Sequence, residues 1–137
     1  MTFAGINYLA VVIAAVASFV FGSVFYMALA RPWRMALGKS EADIKAAMSP
    51  VTFIVAAVAQ LVMAFMLAGI IGHLGEGMAT AGNGMIAGFF IWLGFVVTTL
   101  AVNHGFQGAR RALTLIDGGH WLGVLLIQGL VIGLMGV

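Results

Sequence analysis

The chain has 137 residues, 64% of them hydrophobic and only 7% charged, with a mean hydropathy of +1.17. A soluble domain carries about a quarter charged residues, and a fold this small keeps much of its surface exposed, so a water-solvated globule is excluded. The absence of cysteine excludes disulfides, iron–sulfur clusters and thiol catalysis, and a net charge of +2 resting on six basic residues gives no nucleic-acid signature.

A helix needs about 20 apolar residues to cross the hydrocarbon core. The first such stretch is "INYLAVVIAAVASFVFGSVFYMALA" (6–30), which holds no charge. Its last residues have the small-residue look of a cleavage site. No basic residue precedes it, however, and the run is too long for a signal core, so it is expected to be a retained span.

The segment 31–50 is the only loop long enough to hold structure of its own. Pro32 is expected to end the first helix, and Trp33 suits the interfacial aromatic belt. Ser40 and Asp43 form a capping box for a short helix over 41–48, supported by Glu41 and Lys45 at i,i+4. Ile44, Ala47 and Met48 give that helix an apolar side, as expected of one lying on the inner leaflet rather than of a lid or docking surface.

The second span, 51–74, is preceded by Ser49 as N-cap and Pro50 at the first helical position. Gly75 offers a left-handed stop, and "GEGMATAG" (75–82) reads as a simple connector. The third span is 83–102, with Asn83 as cap and Gly105 as stop. A polar loop, 103–117, follows, and Asp117 is expected to cap the fourth span, 118–137. None of these runs alternates as barrel strands do. The fold class is all-α: residues 1–137 form a single domain, an integral membrane bundle of four transmembrane helices.

All six Lys and Arg residues fall in two loops. Arg31, Arg34, Lys39 and Lys45 lie in 31–50, and Arg110 and Arg111 lie in 103–117. The positive-inside rule places both loops in the cytoplasm and both the N-terminus and the C-terminus outside.

The spans carry few polar groups. Ser18, Ser23, Tyr26, Gln60, Thr98, Thr99 and Gln128 are uncharged, with Gln60 and Gln128 near mid-depth. They read as interhelical glue, worth about 0.6 kcal/mol each on average. His73 is expected near the outer end of its span, and His104 and His120 near the inner ends of theirs, as interfacial residues. No histidine–carboxylate spacing supports haem or metal ligation, and a proton relay lacks its usual buried Asp or Glu. Gly84–Gly88, Gly119–Gly123 and Gly129–Gly133 are small-xxx-small steps that permit close helix packing, within the bundle or between subunits. Ala10, Ala14 and Ala17 play that part in the first span, and Ala64 and Ala68 in the second. Spans one–two and three–four share a span, basic loop, span pattern without residue-level similarity.

Several features resemble a bacterial family, the domain-of-unknown-function family 1761. They begin with "NYLAVVIAA" (7–15), "GSVFY" (22–26) and "PW" (32–33). The most specific are "WLGF" (92–95), Thr98 and Thr99, Asn103, Phe106 and "LTLIDGGHWL" (113–122). The resemblance implies a small four-span protein of the bacterial inner (plasma) membrane, and no particular activity. The chain departs from the family pattern at Phe25, where a tryptophan is usual, at Gln107, where an acidic residue is usual, and at His120, where an aromatic such as tyrosine is usual.

No nucleophile–base pair, metal spacing or paired carboxylates suggests an enzyme, so catalytic, cofactor and metal residues are set at none. The expected function is a small homo-oligomeric transport or channel-like protein. The alternative is a non-catalytic accessory or structural subunit of a larger membrane complex. The expected polar site comprises Thr98, Thr99, Asn103, Gln107, Arg110, Arg111 and Asp117, with membrane lipids and further copies of the chain as partners and no nucleic acid.

Overall fold

The computed structural model describes residues 5–137. Helix α1 (Tyr8–Ala28) is started by Asn7, whose side chain accepts from the Ala10 amide at 3.1 Å. It stops at Leu29, and a second helix, α2 (Ala30–Leu37), starts at once. Pro32 therefore opens a helix rather than closing one. In the first turn its missing N–H removes no intrahelical bond. Gly38, at φ 64°, ends α2 in the left-handed conformation.

Half of the expected capping box forms, with the Asp43 carboxylate accepting from the Ser40 hydroxyl at 2.6 Å in place of its backbone N–H. Ser40 accepts from the Asp43 amide at 3.2 Å and starts α3 (Glu41–Ala47). Glu41 lies 3.7 Å from Arg34 of α2. Both partners are solvated, so this pair adds little. Of the expected apolar side only Ile44 is buried; Ala47 and Met48 are exposed.

Helix α4 (Pro50–Gly72) begins with Ser49 accepting from the Thr52 amide and Pro50 at its first position. The next start differs from the expected one. Thr80, not Asn83, caps α5 (Ala81–Ile91), because its hydroxyl accepts from the Asn83 amide. The Asn83 side chain instead donates to the Met78 carbonyl at 2.8 Å.

A single π-helical turn, Trp92–Val96, joins α5 to α6 (Val97–Phe106), so the third span runs without a break from Ala81 to Phe106. Gly105 lies inside α6, and Gly108, at φ 64°, makes the stop. Helix α7 (Arg111–Met135) then starts seven residues before the expected fourth span. The loop read as 103–117 thus shrinks to 107–110. Polar residues were expected to mark a loop, but the Asp117 carboxylate finds a hydroxyl on α1, so the helix continues through it.

Four helical segments are long and apolar enough to cross a membrane: Tyr8–Ala28, Pro50–Gly72, Ala81–Phe106 and Arg111–Met135. The protein is an all-helical, multi-pass membrane protein, with no strand among the described residues. Helix α7 is the centre of the bundle and packs against α1, α2, α4, α5 and α6. Ala10, Ala14 and Ala15 of α1, Ala64, Leu67, Ala68 and Ile71 of α4, and Val124, Leu125 and Ile132 of α7 make the buried core.

The closest approach is between α5 and α7. A Cβ on Gly84 would land on the carbonyl group of Gly129, and one on Gly129 would land on that of Gly84, so glycine alone permits the crossing. Gly88 and Gly133 face the carbonyls of Leu125 and Thr80 in the same way, and Gly123 faces the Phe21 ring. Gly119 leaves only ordinary room, with Phe25 3.8 Å from its would-be Cβ. These glycine faces are occupied within one chain. The third span is the peripheral one: 6% of its apolar window is buried, against 44% for α7.

Both basic segments lie at the same end of the bundle, where Arg110 Nη1 donates to the Met35 carbonyl at 2.6 Å and clips the 107–110 turn to α2. At the opposite end the Asn7 side chain donates to the Met135 carbonyl, joining the start of α1 to the end of α7.

Candidate functional site

The residues expected to form a polar site do not converge. Thr98, Thr99, Asn103, Gln107, Arg110 and Arg111 are all exposed. Thr98 and Thr99 donate to the carbonyls of Gly94 and Phe95, one turn back on their own segment. Thr99 also borders an open, shallow recess of about 310 Å3, lined by Met63, Phe95, Val96, Leu100 and Trp121. Only Asp117 turns inward.

Asp117 is the hub of a different cluster, built on three helices. Tyr26 Oη of α1 donates to its Oδ1 at 2.8 Å. His104 Nε2 of α6 stands 4.0 Å from its Oδ2, and the His104 and Asp117 side chains are only 13% and 18% exposed. The other ring nitrogen of His104 is 3.0 Å from the Thr114 hydroxyl of α7, which fixes the ring plane. A hydroxyl–carboxylate bond is charge-assisted and is worth about 1.5–3 kcal/mol net. The α7 helix reaches this point because its capless start lies six residues earlier, at Arg111. A part-buried carboxylate is therefore present, inside a span rather than at its cap.

His120 lies one turn deeper. It was expected at the interface, but it is buried, about 13 Å along the axis from the start of α7. Its ring centroid is 4.7 Å from Tyr26, 4.8 Å from Trp121 and 5.7 Å from Phe25, and it stacks on Phe21 at 6.3 Å. Gly22 makes this fit possible: a Cβ there would sit 2.7 Å from His120 Nε2. Nδ1 has no hydrogen-bond partner among the described residues. Among those residues no three His, Cys, Asp or Glu side chains form a metal-holding group.

A second polar cluster lies deeper still. Gln128 Nε2 of α7 is 3.0 Å from Ser18 Oγ of α1, 2.9 Å from Gln60 Oε1 of α4 and 3.2 Å from the Gln60 carbonyl. Ser18 Oγ donates to Gln60 Oε1 at 2.7 Å. The network ties three spans together in the core, as interhelical glue requires. Between the clusters, Trp92 of the π-helical turn donates to the Gly118 carbonyl at 2.8 Å, fastening the third span to α7.

The two clusters share one seam. On α7, Asp117, His120, Val124 and Gln128 follow at three- or four-residue spacing; on α1, Tyr26, Gly22 and Ser18 do the same. Such spacing places each set on one helix face. That periodicity is the signal that could have found the seam from the sequence.

Residues 9–133 match the family described as protein of unknown function (DUF1761). The chain belongs to this family. The match takes in all four spans of this DUF1761 protein, including the second, where residue-level resemblance was thin. No curated protein and no solved structure matched the chain. The positions resembling the family divide between the two surfaces: Tyr26 and Asp117 are in the seam, while Thr98, Thr99, Asn103 and Phe106 are on the exposed face of the third span.

Proposed function

We propose that this DUF1761 protein is a small transport or channel-like protein of the bacterial inner membrane, working as a homo-oligomer. The observation that carries this reading is the polar seam between α1 and α7, from Asp117, Tyr26 and His104, past His120, to Gln128, Ser18 and Gln60. Polar and ionisable groups within spans are costly, and they characteristically mark solute or ion pathways. The confinement of Lys and Arg to one end supports a cytoplasmic assignment for that end, with both termini outside. Asn103, Gln107, Arg110 and Arg111 would then form a cytoplasmic vestibule. No catalytic role is assigned to any residue.

Support for an oligomer moves away from the glycines, which are occupied within the chain. It rests on the third span, where Phe95 and Thr99 stand exposed on the wall of the 310 Å3 recess. A second copy on that face would fill the recess. Reconstitution into proteoliposomes tests the function, with flux measured for a panel of small solutes and protons, alongside native mass spectrometry. Flux from a multimer is expected; a monomer with no flux of any kind would overturn the proposal.

The same exposed face favours a second reading, an accessory subunit whose α6 docks on a larger membrane protein. Stoichiometric co-purification of such a protein, lost on Asn103→Leu, is the outcome that would select it.

A further inference from the structure

Two polar atoms of α7 are buried without a hydrogen-bond partner among the described residues: His120 Nδ1 and Gln128 Oε1. His120 is 7% exposed and Gln128 0%. The Gln128 amide cannot turn round to relieve its oxygen. Its nitrogen faces the Gln60 backbone carbonyl at 3.2 Å, which can only accept, so Oε1 must point elsewhere. Nearly every buried polar atom in a folded protein finds a partner, and internal water is the usual one where protein groups do not suffice.

The two orphaned atoms belong to one seam. Their residues are two helical turns apart on α7, about 12 Å along its axis, with Val124 between them. The facing positions on α1 are Gly22 and Ser18, two of the smallest side chains available. Above His120 lies the Tyr26–Asp117–His104 cluster; beside Gln128 lie Ser18 and Gln60. Phe21, stacked on His120 and laid over Gly123, is the large apolar group between the two levels.

We propose that the α1–α7 seam binds internal water at His120 and Gln128, and that this water joins the two clusters into a proton half-path from the basic end to mid-depth. The inference rests on the transport reading and names its cargo, the proton. The transfer needs no other reactant. A proton taken up by the Asp117 carboxylate forms an O–H bond. That bond breaks as the proton passes through water to His120 Nδ1, which gains an N–H bond and a positive charge. Return to the carboxylate, or onward release to water beside Gln128, restores neutral His120. The rings of Tyr26 and Trp121 have their centroids within 4.8 Å of the His120 ring. The titratable groups around His120 are Tyr26 from α1, Asp117 from α7 and, through Asp117, His104 from α6.

Two measurements on the full chain in lipid bilayers test this. Water-edited solid-state NMR of wild-type protein with 15N-labelled histidine reads whether the His120 ring touches water. A pH-sensitive dye inside proteoliposomes, with potassium and valinomycin to clamp the potential, reads proton flux. The expected result is water contact at His120, and a flux that His120→Phe lowers about 100-fold, the lower end for deleting a positioned proton carrier, and that Gln128→Leu also lowers. Gly105→Ala, on the open face of α6, should keep the wild-type rate. A dry His120 ring in the folded wild type overturns the inference without recourse to any variant, as does a His120→Phe flux equal to wild type. Solute flux without proton flux sinks the proton path and leaves the transport reading standing; absence of all flux sinks both.

Discussion

Replacing Gly88 with alanine probes the contact that holds the third span to the fourth. The added Cβ would stand 2.5 Å from the Leu125 carbonyl oxygen and 3.0 Å from its carbon. Those are backbone atoms, so no side-chain rotation can relieve the clash. Helix α5 must withdraw by about 0.9 Å, the difference between 2.5 Å and the 3.4 Å at which ordinary contact begins. That displacement also loosens the tighter crossing of Gly84 and Gly129, one turn away. Overpacking of this kind costs about 1–3 kcal/mol. Gly105→Ala is the matched control, since nothing lies within 4 Å of its would-be Cβ and its φ is not positive. There alanine should stabilise by about 0.5–1 kcal/mol through helix propensity alone. Reversible unfolding in mixed micelles of dodecylmaltoside and SDS, followed by tryptophan fluorescence, should therefore separate the two variants by about 1.5–4 kcal/mol. Equal midpoints would refute the close approach of α5 to α7.

Three further outcomes are expected. In a double-mutant cycle of Tyr26→Phe with Asp117→Asn, the coupling should be about 1.5–3 kcal/mol, read by the same unfolding assay; coupling near zero would mean the hydroxyl and carboxylate do not meet. Gln128→Leu should cost about 1–3 kcal/mol by stranding Ser18 and Gln60, and adding Ser18→Ala and Gln60→Leu should recover most of the loss; a triple variant weaker than the single one would contradict a hydrogen-bonded network. Arg110→Ala should cost under about 1 kcal/mol, because its bond to Met35 is exposed, yet speed amide exchange over 30–37 while leaving α7 protected; unchanged exchange there would show that the clip does not hold α2.

Four spans were legible because hydrophobic length is a one-dimensional property: nothing charged interrupts residues 8–28, and Ser49–Pro50 marks a start on local chemistry alone. The N-cap at Ser40 was legible for the same reason. What misled was polarity near the end of a span. Asp117 read as a cap because carboxylates belong at helix starts, and the partner that keeps it inside α7 lies 91 residues away on α1. His120 read as interfacial for a similar reason, since its burial depends on Gly22, still farther away in the chain. Asn83 lost its expected cap role to a threonine three residues earlier, a choice between two good caps that only the helix register decides. For the site, the residue types were visible but not their convergence. The exposed Thr98–Arg111 group was adjacent in sequence, whereas the seam is assembled from all four spans.

The position of α7 also sets an order of assembly. Helices α1 and α5 meet the rest of the bundle chiefly through the last of the four spans to leave the ribosome, and the Ser18–Gln128 bond closes a separation of 110 residues. Until α7 enters the bilayer, the glycine faces of the third span have no final partner, and the Gln60 side chain has only Ser18. The long contacts concentrated on α7 make its arrival the committing step, so a variant that slows entry of this helix should be degraded during synthesis even when its finished fold is sound.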